Sequence, residues 1–288
     1  MDITIYSKYE NETGTLFYNH ALKKNQSQDN YQPHFHDMTE IIFFKSGNIS
    51  YFIDGKRYKL KKDMLVLTRP ANIHDIEVDG DEEYERYNIL IDEKSLPFDI
   101  YKKIPLNIDV IDFEKNTHIS SIFKKMDYYC NVLEKKDLEN VLRNLTEEVL
   151  YNIIIESSNV SKSTSTTNPI ISKAMDYIEN NLMTLSGVDE IANELYVTKS
   201  HLHHLFIKHL NIPPKKYITI KRLSAAQREI YLGGKPTEIC TKCGFSDYSS
   251  FYRAYKNYFD RPPSDIGSTR YIGLNSDELL KNKANKHR

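Results

Sequence analysis

The sequence predicts an α+β protein of two domains. An N-terminal antiparallel β-barrel with a helix pair is joined through a flexible linker to an all-α C-terminal domain with two helix-turn-helix motifs connected by one helix. Three observations lead there. Short β-branched and aromatic runs broken by Gly, Asn and Asp fill residues 39–78, and a small-polar stretch without apolar period occupies 156–169. Beyond it, a short helix, a turn and a second helix are legible twice. A chain of 288 residues, 40% hydrophobic and 27% charged, can bury two cores and does not have the composition of a disordered chain. It holds no apolar run long enough to span a bilayer, and Asp2, Lys8, Glu10 and Glu12 break any signal-peptide pattern at the start, so a cytoplasmic location is expected.

The elements follow in order. In TEIIFFKSGNISYFIDGKRYKLKKDMLVLTRPANIHDIEV, breaks fall at Ser46-Gly47-Asn48, Asp54-Gly55, Lys61-Lys62-Asp63 and Pro70-Ala71-Asn72. Asp-Gly between two alternating runs predicts a tight hairpin, and several such strands in succession imply a barrel or sandwich. From 117 to 156 the period becomes helical. Ile119, Ile122, Phe123 and Met126 make one stripe and Val141, Leu142, Leu145 and Val149 another, so two antiparallel helices are expected to turn near Lys135-Lys136-Asp137. Their apolar faces suit the barrel or a second subunit. The first domain is thus 1–156. The stretch ESSNVSKSTSTTNP buries too little to offset the entropy of ordering it, which places a linker at 157–168 with a random-coil reach of roughly 20 Å.

The second domain is 169–270, followed by a polar tail at 271–288. Ile170, Ile171, Ala174, Met175 and Ile178 form its first stripe, ending at Asn180-Asn181. In SGVDEIANELYVTKSHLHHLFIKHL, Ser186 is positioned to cap a short helix to Glu194, the chain turns at 195–197, and Thr198 caps a second helix. Leu202, Leu205 and Phe206 face inward there, leaving Lys199, Ser200, His203, His204 and Lys208 outside; His201 and His209 are expected to be partly packed or in solvent. The run PPKKYITIKRLSAAQREIYL opens on prolines tolerated in a first helical turn and stops at Gly233-Gly234. The pattern then repeats: a helix at 236–242, a turn at Cys243-Gly244-Phe245, and a last helix capped by Asp247. Phe251, Tyr255 and Tyr258 mark its buried stripe, with Ser249, Tyr252, Arg253 and Lys256 on the other face and Ser250 beside them.

Charge divides along the same line. Thirteen basic residues stand against five acids in 199–270, so that stretch carries about +8 within a chain of net −1. A basic end suits a polyanionic partner. Three cysteines, Cys130, Cys240 and Cys243, do not make a disulfide framework, and the Cys240-Cys243 pair lacks the further soft ligands of a zinc site, so small buried packing residues are expected.

The segment EICTKCGFSDYSSFYRAYKNYFDRPPSD, preceded by KRLSAAQREIYL, resembles the signature and linker helix of the AraC/XylS family of bacterial transcription regulators, and the resemblance covers 170–265. Cys240, Cys243 and Tyr255 depart from the usual Ala, Val and Phe, which are packing changes. In PHFHDMTEIIFFKSG, His34, His36, Glu40 and Gly47 resemble the first motif of the cupin superfamily, and His74 stands where the second motif has a histidine, while Asp63 and Asn72 replace its glycines. Three His and one Glu are ligand types that suit Zn, Fe or Mn. The degraded second motif leads to the expectation of no metal and no cofactor.

The resemblance implies double-stranded operator DNA as a partner, a small-molecule effector in the barrel, most often a sugar in this family, a homodimer, and activation through RNA polymerase. Arg253 is the side chain best shaped to grip guanine O6 and N7, helped by Ser249, Ser250 and Tyr252, with Ser200, His203 and His204 doing the equivalent work in the first unit. Lys199, Lys208 and Lys256 are expected phosphate contacts. His34, His36, Glu40, Tyr51 and His74 are the candidate effector groups. No catalytic residue is assigned. Two other classes stay open: a metal-dependent cupin enzyme fused to a DNA-binding domain, and a ligand-independent activator controlled by abundance.

Overall fold

The structure is a computed structural model that describes residues 2–24, 33–78, 83–97, 100, 103–105, 108–157, 168–259 and 261–265. Apart from Ser157 and Asn168, the expected linker lies outside the described residues, as does the expected tail. The chain separates into two compact units.

The first unit carries the strands β1 (Asp2–Glu10), β2 (Leu16–Lys24), β3 (Thr39–Ser46), β4 (Ile49–Ile53), β5 (Lys56–Lys59), β6 (Met64–Thr68), β7 (His74–Val78), β8 (Tyr84–Ile91) and β9 (Val110–Asp112). They form a six-stranded sheet in the order β1-β2-β8-β3-β6-β9 and a three-stranded sheet β5-β4-β7. The strands end at or just before the Gly, Asn, Asp and Pro breaks of the sequence. Asp54 (φ 46°) and Gly55 (φ 76°) both take positive φ, the conformation a two-residue hairpin of matching twist requires.

Two helices follow, α1 (Thr117–Val132) and α2 (Lys135–Ser157). The turn between them is Leu133-Glu134, two residues earlier than expected. Leu138 is buried, and the Leu138 N–H bonds to the Glu134 carbonyl, so Lys135, Lys136 and Asp137 are drawn into the first helical turn.

Strand parity sorts the side chains into two layers. Ile41 and Phe43 of β3, Leu65 and Leu67 of β6, and Tyr87, Ile89 and Ile91 of β8 share one cluster with Ile119, Ile122, Phe123, Met126, Leu142 and Val149. Their neighbours Ile42, Phe44, Val66 and Tyr84 point the other way, into a second cluster with Ile49, Tyr51, Ile53 and Ile76 of the small sheet. The large sheet is therefore covered by helices on one face and by the small sheet on the other. Glu40 and Asn88 have the parity of the inter-sheet layer.

The second unit is all helix: α3 (Pro169–Asn181), α4 (Val188–Glu194), α5 (Lys199–Leu210), α6 (Pro214–Tyr231), α7 (Pro236–Lys242) and α8 (Tyr248–Phe259). The Asn168 side chain caps α3 by accepting from the N–H groups of Ile170 and Ile171. Ser186 does not cap α4. Gly187 holds that position without a side-chain bond, while the Ser186 N–H and hydroxyl both donate to Glu190 Oε2, at 2.8 and 2.7 Å. Around α6 lies a core of Leu223, Ala226, Ile230, Ile239, Cys240, Cys243, Phe251, Tyr255 and Phe259. Both cysteines are packing residues there, and all three thiols are free. Phe259, not Tyr258, completes the buried stripe of α8, at the i, i+4, i+8 spacing, while Tyr258 is half-buried. No described helix is long and apolar enough to cross a membrane.

Candidate DNA-reading faces and a buried polar centre

Each helix-turn-helix unit seals its core on one side and presents polar groups on the other. Thr198 Oγ1 accepts from the His201 N–H at 3.1 Å and starts α5, which buries Leu202, Leu205, Phe206 and Leu210. The opposite face carries Lys199, Ser200, His203, His204 and Lys208, all exposed. Lys199 Nζ donates to Asp189 Oδ2 of α4 at 2.7 Å, a solvent-screened pair that a phosphate can replace. His201 is exposed and His209 half-buried.

In α8, Asp247 Oδ1 accepts from the Ser250 N–H at 2.7 Å and fixes the start of the helix. Ser249, Tyr252, Arg253 and Lys256 are exposed, and Ser250 is half-buried. Short hydroxyls and a guanidinium on an exposed helix face are the donors and acceptors that base edges in a major groove require. In α4–α5 the turn runs through Tyr196 at φ 54°, and in α7–α8 through Gly244 at φ 78°.

Between the two sheets, Glu40 is the hub of a buried network. Its Oε1 accepts from Asn88 Nδ2 at 2.9 Å and its Oε2 from the Tyr51 hydroxyl at 3.1 Å. His74 Nε2 lies 3.1 Å from Oε2 and His36 Nε2 3.7 Å from it. The other ring nitrogens are spoken for: His36 Nδ1 donates to the Met38 carbonyl (2.8 Å) and His74 Nδ1 to the Asn72 carbonyl (2.9 Å). Since a carbonyl only accepts, Nδ1 bears the proton in both rings and Nε2 is turned toward Glu40.

Burial pushes the His36 imidazole down, so it is neutral and offers a lone pair at Nε2. Burial also acts against charge on Glu40 and His74, but their mutual attraction outweighs it: Glu40 is held well below the usual carboxylate range and His74 above the usual imidazole value. Burial and the Glu40 charge push the Tyr51 phenol well up, so it stays a donor.

The centre unites His36, Glu40, Tyr51 and His74 from the sequence-predicted set. His34 is half-buried at its edge, pairing backbone with His74 through bonds of 3.0 and 2.9 Å. The ligating atoms of His34, His36 and His74 lie within 4.8 Å of one another. A tetrahedral zinc shell needs ligand nitrogens roughly 3.3 Å apart. Both Glu40 oxygens already accept from protein donors, so these residues fit a hydrogen-bonded polar centre better than a closed metal shell.

Two groups in the first unit were not read from the sequence. Asn88 stands out only as a lone polar residue in the run YNILI that ends strand YERYNILI, a signal strand parity could have used. His20 sits between Asp127 of α1 (Nδ1 to Oδ2, 2.8 Å) and Glu85 of β8 (Nε2 to Oε1, 3.0 Å). No spacing rule links residues so far apart in the chain.

A β-sheet domain with a buried polar centre, together with two helix-turn-helix units whose outer faces are polar and basic, defines the class of DNA-binding regulators with a sensory domain. An AraC-like ligand binding domain matches residues 20–98 and a helix-turn-helix domain matches 191–268. Together these take in more than half of the chain, which belongs to the AraC family of transcription regulators.

The Msm operon regulatory protein of Streptococcus mutans is 32% identical over 111 residues, 37% of this chain and 39% of that protein. The transcriptional activator RhaS of Mannheimia succiniciproducens is 22% identical over 250 residues, 85% of this chain and 92% of that protein. The lactose operon transcription activator of Staphylococcus xylosus is 30% identical over 99 residues, 34% of this chain and 36% of that protein. The chain thus spans well under half of the first and third, and nearly all of the second.

Proposed function

We propose that this protein is a cytoplasmic, homodimeric activator of transcription that binds operator DNA through α5 and α8 and answers to a small hydroxyl-rich effector, a sugar or related metabolite, in its first unit. The observation that carries the reading is the pair of outward faces. Ser200, His203 and His204 on α5, and Ser249, Tyr252 and Arg253 on α8, are exposed, with the half-buried Ser250 beside them, and read bases; Lys199, Lys208 and Lys256 flank them and hold phosphates.

The Glu40 centre supports the effector half of the reading. A buried carboxylate with a phenol, an amide and two imidazoles offers acceptors and donors to hydroxyl groups, and His34, His36, Glu40, Tyr51 and His74 are its effector-binding set. Two of the relatives are named as activators, and one as the activator of a lactose operon. Each helix of the first unit leaves an apolar pair exposed four residues apart, Tyr128 and Val132 on α1, Tyr151 and Ile155 on α2, which a second copy would cover. Activation places RNA polymerase among the partners.

Selection of the full-length protein on a pool of randomised duplexes tests the reading. One recurring pair of sequence boxes is expected, about one helical turn, ~34 Å, apart. Folded protein that enriches no sequence at any salt concentration overturns it. The clustering of His34, His36 and His74 favours a second reading, a metal-dependent enzyme joined to a DNA-binding domain. About one Zn, Fe or Mn per purified chain would favour that alternative; no stoichiometric metal is expected.

A further inference from the structure

Arg222 lies on α6, the helix between the two helix-turn-helix units, on neither outward face. Its guanidinium is half-buried and donates in three directions: Nε to the Leu182 carbonyl at 2.9 Å, Nη2 to the Leu185 carbonyl at 2.5 Å and Nη1 to the Gly244 carbonyl at 2.8 Å. Leu182 and Leu185 belong to the segment leading from α3 into α4, hence to the entry of the first helix-turn-helix. Gly244 is in the turn of the second. One rigid planar group therefore ties the entry of one reading unit to the bend of the other.

Gly244 is shaped for this. A Cβ there would stand 2.7 Å from Arg222 Cζ, 2.7 Å from Nε and 2.8 Å from Nη2, and the residue sits at φ 78°, where side chains are rarely tolerated. The turn has left room for the guanidinium and nothing else. Lysine cannot replace it, because an ammonium is a point donor on a flexible stem and lacks the fixed fork that spans carbonyls on two elements.

We propose that Arg222 is the positioning residue that sets the separation and phase of α5 and α8, and thereby the spacing between DNA boxes that the protein accepts. This rests on the reading of α5 and α8 as the DNA-contacting helices. With the bracket in place, docking one helix delivers the other to a fixed point on the duplex, so the second contact is effectively intramolecular. Without it the two units still read their boxes, but the second is delivered to a spread of positions.

The test selects full-length wild type, Arg222→Gln, Arg222→Lys and Gly244→Ala on the same randomised duplex pool, with each preparation normalised by its folded, DNA-competent fraction. Wild type should enrich two boxes at one spacing. All three variants should enrich the same two boxes over a spread of spacings, with about tenfold weaker binding to the wild-type spacing and unchanged binding to a single box. A merely structural loss would lower single-box binding and leave the spacing narrow. Wild-type spacing in Arg222→Gln, or its full restoration by Arg222→Lys, overturns the proposal. If Arg222→Gln does not fold, Gly244→Ala decides alone, and a narrow spacing in that variant overturns it equally. Wild type that enriches no sequence sinks the regulator reading itself, a result distinct from any of these.

Discussion

His20 shows how one residue can report a charge state through geometry alone. Both of its ring nitrogens face carboxylate oxygens, Asp127 at 2.8 Å and Glu85 at 3.0 Å, and carboxylates only accept, so both contacts are hydrogen bonds only when the ring is an imidazolium. Tyr87 stacks on it at 3.8 Å, Tyr6 tilts against it at 4.6 Å, and Tyr18 donates to the same Asp127. Burial alone would lower its pKa; the two acids reverse this and hold it above the ordinary imidazole value. A raised folded-state pKa means that the clamp stabilises fully below the unfolded value and is lost as pH rises through the folded one. His74 has the same sign, while His36, pushed down, has the opposite one, so the diagnostic is a difference. His20→Gln should cost about 1–3 kcal/mol at pH 6. The gap to wild type should close as pH climbs from about 6.5 upward. Melting curves of both proteins across that range check this, and a gap independent of pH would mean that the ring is not charged. At this scale the sequence was legible where a motif marked the residue, as at His36 and Glu40. It was silent where partners meet only through the fold, as at His20 and Asp127, which are 107 positions apart.

Periodicity is strongest at the scale of the element, and α8 is the clearest case. Its apolar stripe and polar face are separable in the sequence because Phe251 and Tyr255 recur at helical spacing; the ambiguity lies at the end, where both i+7 and i+8 are aromatic and packing against the core selects Phe259. Turns were harder to place for a related reason. Polar residues such as Lys135 and Lys136 read as a break, yet tolerate the first turn of a helix whose next residues are buried. The outer face of α8 makes the sharper prediction. Arg253 lies nearer the Asp247 cap than Lys256 does, hence closer to the end of the helix that the proposed reading puts in the groove. Arg253→Ala should cost about 1–3 kcal/mol on the selected duplex, relax preference at one base pair and leave scrambled duplex binding nearly unchanged. Lys256→Ala should weaken both duplexes alike and lower the salt slope by about one. Phe251→Ala serves as the contrast, losing ~3–5 kcal/mol of folding stability through a core cavity. Binding isotherms on both duplexes at several salt concentrations separate the three, and equal losses on both duplexes for Arg253→Ala would make it a phosphate contact.

The whole molecule is nearly neutral, at net −1, but its charge is divided along the chain. Residues 168–288 hold eighteen basic against twelve acidic residues, a net of +6, which leaves −7 on residues 1–167. This division was readable from the sequence because charge needs no fold to be counted, whereas the effector's identity was not, since the Glu40 centre draws on β3, β4, β7 and β8 and its shape exists only once they pair. The charge division has a consequence for DNA binding. Non-specific affinity comes from phosphate neutralisation and counterion release, so the fragment 168–288 should bind random duplex with an affinity that falls steeply with salt. In the full-length chain the same helices are tethered to a unit of opposite sign, which repels the duplex over distances that salt screens, about 10 Å at 0.1 M. The fragment should therefore bind random duplex more tightly than the full chain at low salt, and the two should converge as salt rises past the point where that repulsion is screened. Fluorescence anisotropy of both proteins on one scrambled duplex across a salt series measures this directly. Curves that stay parallel would place the difference in something other than charge, and a folded fragment that fails to bind even at low salt would remove the basic faces of α5 and α8 as the DNA-binding surface.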